Sequence, residues 1–476
     1  MKIAFVSSES NPFSKTGGLG DVVYSLSKEL SSKEDVSVFL PFYESTSNKD
    51  YKFKQVASFY TKMSWRNQQT DIYYYKLNNV NFYFLANSYY FTRHNLYGYG
   101  DDGERFAFFS LAVIETIKQL NLHFDIIHCN DWQTGMIPCL VKKKDPFHPN
   151  FSYTKFIFTI HNPMFMGLID RYFLNDFYSL SDDLFDSGEL RFEGMVSTFK
   201  AGIVYSDKIT TVSPTHALEL LDPSSTFGLS YILTLRKDDF VGICNGIDEN
   251  EFNPKEDPNI AKKYSIKDVT SGKTECKKAM FDKCLLEYKD VPCYGLVSRL
   301  TSQKGIELVL AEARKILNNG GAFFALGSGE YAYEQALEDL RRDYPDRVGI
   351  YIGYNAKFAH YIYAGCDFFL MPSLFEPCGI GQMIALKYGT LPIARRTGGL
   401  ADTIVDYNDS NLDKADGFLF NDFDIGGLDY GVYKASLVYN DKAKLRKLRS
   451  NAMKADHSWN KSSLQYLELY KQALNK

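Results

Sequence analysis

At 476 residues the chain is too long for one hydrophobic core, so two or three domains are expected. Its 54 basic and 58 acidic side chains nearly balance, leaving a net charge of −4, and 45% of residues are apolar. That composition excludes general binding to nucleic acid or to an anionic membrane, both of which need a basic excess or stripe, and leaves room only for a local basic pocket.

No run approaches the length of a membrane span. The chain opens Met1-Lys2 and enters a strand-like run at once, without the charged leader and cleavage site of a secretory signal. Eight cysteines are scattered with no Cys-x-x-Cys pair, which implies reduced thiols in a cytoplasmic protein and no structural zinc.

In chain order, strand patterns are expected at 2–7, 36–40, 72–77, 81–86, 125–129, 155–160, 208–212 and 241–244. Helical patterns lie between them at 22–30, 104–120 and 193–205. The aromatic runs Tyr73-Tyr74-Tyr75 and Phe82-Tyr83-Phe84 read as alternating strand cores rather than sugar platforms. Asn245-Gly246-Ile247-Asp248, followed by a polar stretch at 253–257, marks a turn and a domain boundary. Beyond it, strands are expected at 293–297, 322–327, 349–352, 367–371, 391–394 and 417–420. Helices are expected at 275–286, 305–317, 331–342, 356–364 and 380–388. A last helical segment, 458–476, carries Leu464, Leu467, Tyr470 and Leu474. The reading is α/β: two Rossmann-like, doubly wound domains at 1–244 and 245–457, then a C-terminal helix at 458–476. Ligands of such sheets sit beyond the carboxyl ends of the strands.

One phrase occurs twice: Lys15-Thr16-Gly17-Gly18-Leu19-Gly20-Asp21 and Arg396-Thr397-Gly398-Gly399-Leu400-Ala401-Asp402. Each follows a strand-like run and leads into a helix-like one. Paired glycines admit a ligand to the backbone, the helix start offers free N–H groups, and the cation adds a full charge. Each copy alone is equally well explained as a glycine-rich turn; their recurrence favours two cradles for a phosphate or a polar sugar.

Three further groups stand at expected strand ends. Arg299 and Lys304, in Ser298-Arg299-Leu300-Thr301-Ser302-Gln303-Lys304-Gly305, suit a diphosphate. Glu376, in Ser373-Leu374-Phe375-Glu376-Pro377-Cys378-Gly379-Ile380-Gly381, suits sugar or ribose hydroxyls, with Gly379 and Gly381 exposing backbone N–H groups. His128 to Gln133 and Thr159-Ile160-His161-Asn162-Pro163 form two polar clusters that suggest one cleft. No Gly-x-Ser-x-Gly elbow, Walker pattern or His-Glu-x-x-His spacing occurs.

Taken together, these residues resemble the bacterial and plant-type glycogen/starch synthases, retaining glycosyltransferases of the two-Rossmann GT-B architecture with an interdomain cleft. The resemblance runs nearly end to end. It takes in the Lys15 phrase, Asp102 to Phe109, Asn130-Asp131-Trp132, Thr211-Val212-Ser213-Pro214, Asn245-Gly246-Ile247-Asp248, Ser298-Arg299-Leu300, Gln303-Lys304-Gly305, Glu376-Pro377-Cys378-Gly379, Tyr388-Gly389-Thr390 and Arg395 to Thr403. It implies transfer of glucose from ADP-glucose to the 4-OH at the non-reducing end of an α-1,4-glucan, with retention of configuration, no cofactor and no metal. It also implies roles: Arg299 and Lys304 on the diphosphate, with Lys15, Gly17, Gly18 and Asp21 closing over phosphate and sugar. Glu376, Cys378, Gly379 and Gly381 would bind the transferred glucose. His161 would lie by the anomeric centre, with Asp131 and Asn162 on the glucosyl or acceptor side, and Thr397, Gly398 and Gly399 by the donor. The C-terminal helix would return to the first domain. The implied partners are ADP-glucose and the glucan, with no nucleic acid and no membrane; no oligomeric state is implied.

The chain departs from the family pattern at Gln133, usually His, at Pro163-Met164-Phe165-Met166, usually ending in an aromatic then Gln, and at Gly381, usually Thr. These bear on acceptor preference and rate. Two other readings carry the same residues: a retaining GT-B transferase with another donor or acceptor, and a non-catalytic glucan- or nucleotide-binding relative.

Overall fold

The computed structural model describes residues 1–225 and 227–475. The chain forms two compact units. The first comprises Met1–Val212, Ala217–Ile243 and the chain from Trp459 onward; the second comprises Ser213–His216 and Cys244–Ser458.

The first unit holds a nine-stranded sheet. Its order is Phe240–Gly242, Lys208–Thr211, Lys155–Ile160, Ile126–Asn130, Lys2–Val6, Asp35–Pro41, Val80–Ala86, Arg66–Leu77, Lys54–Met63. Pairing is parallel as far as Val80–Ala86, and the last two strands add on antiparallel. Both faces are covered, as a near-continuous apolar strand demands. Along Lys2–Val6, Ala4 and Val6 enter one core while Ile3 and Phe5 enter the other. The second core is closed by the helices Gly18–Leu30 and Trp459–Leu474, through Val22, Leu26, Trp459, Tyr466 and Tyr470.

The sequence pattern does not reveal the strand Lys54–Met63, whose residues are mostly half-exposed or exposed. The helix expected over 193–205 is shorter: Met195–Ser197 is a strand of a small three-stranded sheet, and Ser197 caps the helix Thr198–Tyr205 by accepting from the Lys200 N–H.

The second unit is a six-stranded, wholly parallel sheet. Its order is Val348–Ile352, Ala322–Gly327, Cys293–Val297, Phe368–Met371, Leu391–Arg395, Phe418–Phe420. The helices Ile425–Asn440 and Lys442–Lys454, which the periodicity does not reveal, cover one face.

Each sheet reverses its strand order once. In the first unit the reversal lies between Lys2–Val6 and Ile126–Asn130, and in the second between Cys293–Val297 and Phe368–Met371. The carboxyl ends at such reversals splay apart and leave a crevice for a ligand.

Candidate functional site

In the first unit, the reversal gathers three loops. Lys2–Val6 runs into Ser7-Ser8-Glu9-Ser10, then into the Lys15 phrase. Ile126–Asn130 ends on Asn130 and Asp131, and Lys155–Ile160 ends on His161 and Asn162. Glu9 is 1% exposed and anchors the first loop. One carboxylate oxygen accepts from the Thr16 N–H at 2.6 Å and the Gly17 N–H at 3.3 Å. The other accepts from the Thr16 hydroxyl at 2.8 Å and from the Tyr97 hydroxyl. Neither Glu9 nor Tyr97 stood out in the sequence; the available signal for Glu9 was an acid three residues beyond the carboxyl end of the first strand.

Lys15 is exposed and pairs with Asp21 at 2.6 Å, and Asp21 also accepts from the Asn11 amide at 3.2 Å. A Cβ added to Gly17 or Gly18 would meet nothing within 4 Å, so these glycines border open space above the start of Gly18–Leu30. Helix N–H groups face that space without a side-chain cap.

Asp131 holds the other two loops together. It sits at φ 55°, a left-handed conformation that costs a non-glycine residue about 1 kcal/mol or more. Its N–H is bound by the Thr159 carbonyl at 3.1 Å, and its Oδ1 accepts from the N–H groups of His161 at 2.8 Å and Asn162 at 3.3 Å. Burial nevertheless raises its carboxyl to about 7. Burial also lowers the His161 imidazole to about 3, so the ring is neutral at physiological pH. Asn162 spends its side-chain oxygen locally, on the Met164 N–H at 3.1 Å. His128 is structural: its ring bonds Tyr470 at 2.8 Å and Thr159 at 2.5 Å, deep in the unit. Of the departures from the family pattern, Gln133 and Met166 are buried rather than facing solvent, Met166 within the main apolar core.

In the second unit, Cys293–Val297 leads to Arg299 and Lys304, and Phe368–Met371 leads to Ser373 and Glu376. Lys304 Nζ lies 2.5 Å from Glu376 Oε2, with side chains 17% and 9% exposed, and the Ser373 hydroxyl donates to the same oxygen at 3.1 Å. The Leu374 N–H bonds the Gln303 carbonyl at 2.8 Å, and the Gln303 amide bonds the Phe375 carbonyl at 3.3 Å, locking the two loops side by side. Gly305 makes that approach possible: at φ 67° it lies where a Cβ would come within 2.3 Å of the Pro372 carbonyl. Arg299 is exposed, and among the described residues its guanidinium has no hydrogen-bond or ion-pair partner. Cys378 is buried, and burial pushes its thiol well above the ordinary range, so it is no nucleophile. Gly379 takes φ 73° as the chain turns into Gly381–Lys387, whose start has no side-chain cap.

The second glycine phrase is used differently from the first. A Cβ on Gly398 would come within 2.1 Å of the Glu376 carbonyl, and one on Gly399 within 2.2 Å of the Cys378 carbonyl. The Gly399 N–H is already bound by the Glu376 and Pro377 carbonyls, and Thr397 is buried. Arg396 pairs with Asp406 at 3.0 Å and Asn421 at 3.2 Å. Asp402 accepts from the Thr215 N–H at 2.8 Å and hydroxyl at 2.7 Å. This copy is therefore a buttress under the Glu376 loop rather than a second open cradle. Thr397, Gly398 and Gly399 support the pocket through that loop.

These half-sites accompany a family signature over the whole chain. A family profile described as starch synthase catalytic domain matches residues 2–235, and one described as glycosyl transferases group 1 matches 280–454. A glycogen synthase of Clostridium perfringens is 43% identical over 482 residues, covering 100% of this chain and 98% of its own. One of Anoxybacillus flavithermus is 41% identical over 472 residues, covering 99% and 97%. The chain belongs to the glycogen synthase and starch synthase family. Among solved structures, the catalytic domain of starch synthase IV from Arabidopsis thaliana, bound to ADP and acarbose, matches with a TM-score of 0.93 at 31% identity, covering 100% of this chain and 99% of that one. A sucrose-phosphate synthase from Thermosynechococcus elongatus shares the fold at TM-score 0.63 and 19% identity. The architecture is accordingly the two-domain GT-B glycosyltransferase fold, and the protein is a glycosyltransferase of the glycogen/starch synthase type.

Proposed function

We propose that this glycogen synthase homologue uses ADP-glucose as donor and extends an α-1,4-glucan at its non-reducing 4-OH with retention of configuration. The observation that carries the reading is the Lys304–Glu376 pair at the sheet reversal of the second unit: a cation suited to a phosphate beside a carboxylate suited to sugar hydroxyls. The unpartnered Arg299 and the uncapped start of Gly381–Lys387 add positive potential there. Breaking the glycosyl–phosphate bond leaves an oxocarbenium-like sugar and a phosphate carrying new negative charge. Preorganised cations stabilise that charge more in the transition state than in the ground state. A covalent intermediate would need a free carboxylate nucleophile. Glu376 is engaged by Lys304 and Ser373, and one oxygen of Asp131 by two backbone N–H groups. We therefore favour front-face transfer, in which the leaving phosphate helps deprotonate the incoming hydroxyl, with His161 and Asp131 on the glucosyl side. The eight free cysteines support a cytoplasmic site of action.

Purified protein with ADP-glucose and glycogen is expected to release ADP and lengthen the glucan, faster than with UDP-glucose and undiminished by EDTA. Nucleotide binding without turnover across a donor panel would replace this reading with that of a non-catalytic relative.

A further inference from the structure

We infer that Asn130 is a positioning residue that holds the His161 imidazole in its Nε2-protonated form, so that Nδ1 is offered as a hydrogen-bond acceptor to a substrate hydroxyl. Asn130 is 2% exposed and sits at the carboxyl end of Ile126–Asn130, beside Lys2–Val6. Its side-chain NH2 donates to the Val6 carbonyl at 3.0 Å and the His128 carbonyl at 3.2 Å. Carbonyls only accept, so turning the amide over would set its oxygen against two others. The amide orientation is thereby fixed. Its Oδ1 must then face His161 Nε2, at 2.9 Å. An amide oxygen cannot donate, so Nε2 carries the proton, and in a neutral ring Nδ1 is left with its lone pair.

The main chain is held as firmly as the ring. The Asn130 N–H donates to the Thr134 hydroxyl at 2.7 Å, and that hydroxyl donates back to the Asn130 carbonyl at 2.9 Å. On the other side, Asp131 Oδ1 grips the His161 N–H. Backbone and ring of His161 are thus fixed by two consecutive residues of one strand end. Among the described residues Nδ1 has no hydrogen-bond partner, and the residue keeps part of its surface exposed. Toward a substrate hydroxyl, the His161 ring in this state accepts a hydrogen bond at Nδ1 and donates none, its Nε2–H being taken by Asn130.

The inference rests on the reading of His161 as a contact to the transferred glucose. Its test, however, uses the resting enzyme, so failure of the tautomer and failure of the transfer reaction are told apart. Wild-type protein labelled with 15N-histidine gives long-range 1H–15N correlations at pH 7, and the spectrum of His161→Gln identifies the His161 signals. The expected result is one neutral tautomer protonated at Nε2. Protonation at Nδ1, or an even mixture, overturns the inference without recourse to any Asn130 variant. In Asn130→Ala the tautomers should mix and kcat should fall roughly ten- to a hundredfold, as for a misplaced reacting group, with the far-UV circular dichroism retained. A single Nε2-protonated form and wild-type kcat in that variant would also overturn it.

Discussion

Glu9 offers the sharpest test of the first unit's loops, because its carboxylate accepts four hydrogen bonds, three from the Lys15 loop and one from Tyr97, without contributing to the sheet ladder. Glu9→Gln can keep all of them: the amide oxygen serves the Thr16 and Gly17 N–H groups, and the NH2 faces two hydroxyls that turn to accept. What is lost is charge assistance, about 1 kcal/mol per bond. Thr16 is exposed and Gly17 half-exposed, so water recovers part of that. A net loss of about 1–2 kcal/mol in loop order corresponds to roughly tenfold in kcat/KM. Glu9→Ala deletes every bond, and about 3–4 kcal/mol corresponds to two to three decades. ADP release on a glycogen primer, measured at saturating and limiting ADP-glucose, reads these losses, and thermal melting checks the fold. For units of this size about 1 kcal/mol moves Tm by about 2–4 °C, so the Gln variant should melt within a few degrees of wild type. Two results would refute the reasoning: a Gln variant as impaired as the Ala variant, which would mean that charge and not scaffolding matters, or an Ala variant with wild-type kcat/KM.

Lys304→Ala should lower turnover by about 10²–10³, the loss expected of one preorganised charge stabiliser, and turnover within threefold of wild type would remove the diphosphate assignment. Gly17→Ala should melt like wild type yet lose kcat/KM, because its new Cβ meets no protein atom but stands where a ligand would approach, whereas Gly399→Ala should melt markedly lower because its Cβ meets the Cys378 carbonyl; equal melting temperatures would contradict the difference drawn between the two glycine phrases. Asp131 carries a pH signature. Its folded-state value of about 7 lies above the unfolded one, so the folded protein binds the extra proton between about pH 4 and 7 and loses that stabilisation as pH rises. Asp131→Asn, which keeps an acceptor oxygen, should therefore gain in Tm relative to wild type between pH 5 and pH 8, by no more than the equivalent of about 3 kcal/mol, and a pH-independent difference would show that the carboxyl is not displaced.

Much of the arrangement is written locally and is therefore legible in the chain. Strand-like runs such as Ile3-Ala4-Phe5-Val6 announce parallel strands, and the polar residues that follow them, Arg299, Lys304, Glu376, Asp131 and His161, lie at carboxyl ends because doubly wound sheets put them there. What the chain hides is decided by partners distant in sequence. Lys54–Met63 reads as loop because an edge strand is half polar and pairs on one side only. Glu9 looks like one acid among serines until Thr16, Gly17 and Tyr97 converge on it. The twin glycine phrases are the clearest instance. Five of seven positions are identical and the other two similar, yet above Gly17 and Gly18 there is open space, while above Gly398 and Gly399 there is the backbone of Glu376 and Cys378. A missing Cβ is permissive: it leaves open space in one case and admits protein backbone in the other. The same local device thus borders open space at a helix start in the first unit and braces a loop in the second, where that loop presents Glu376 to Lys304.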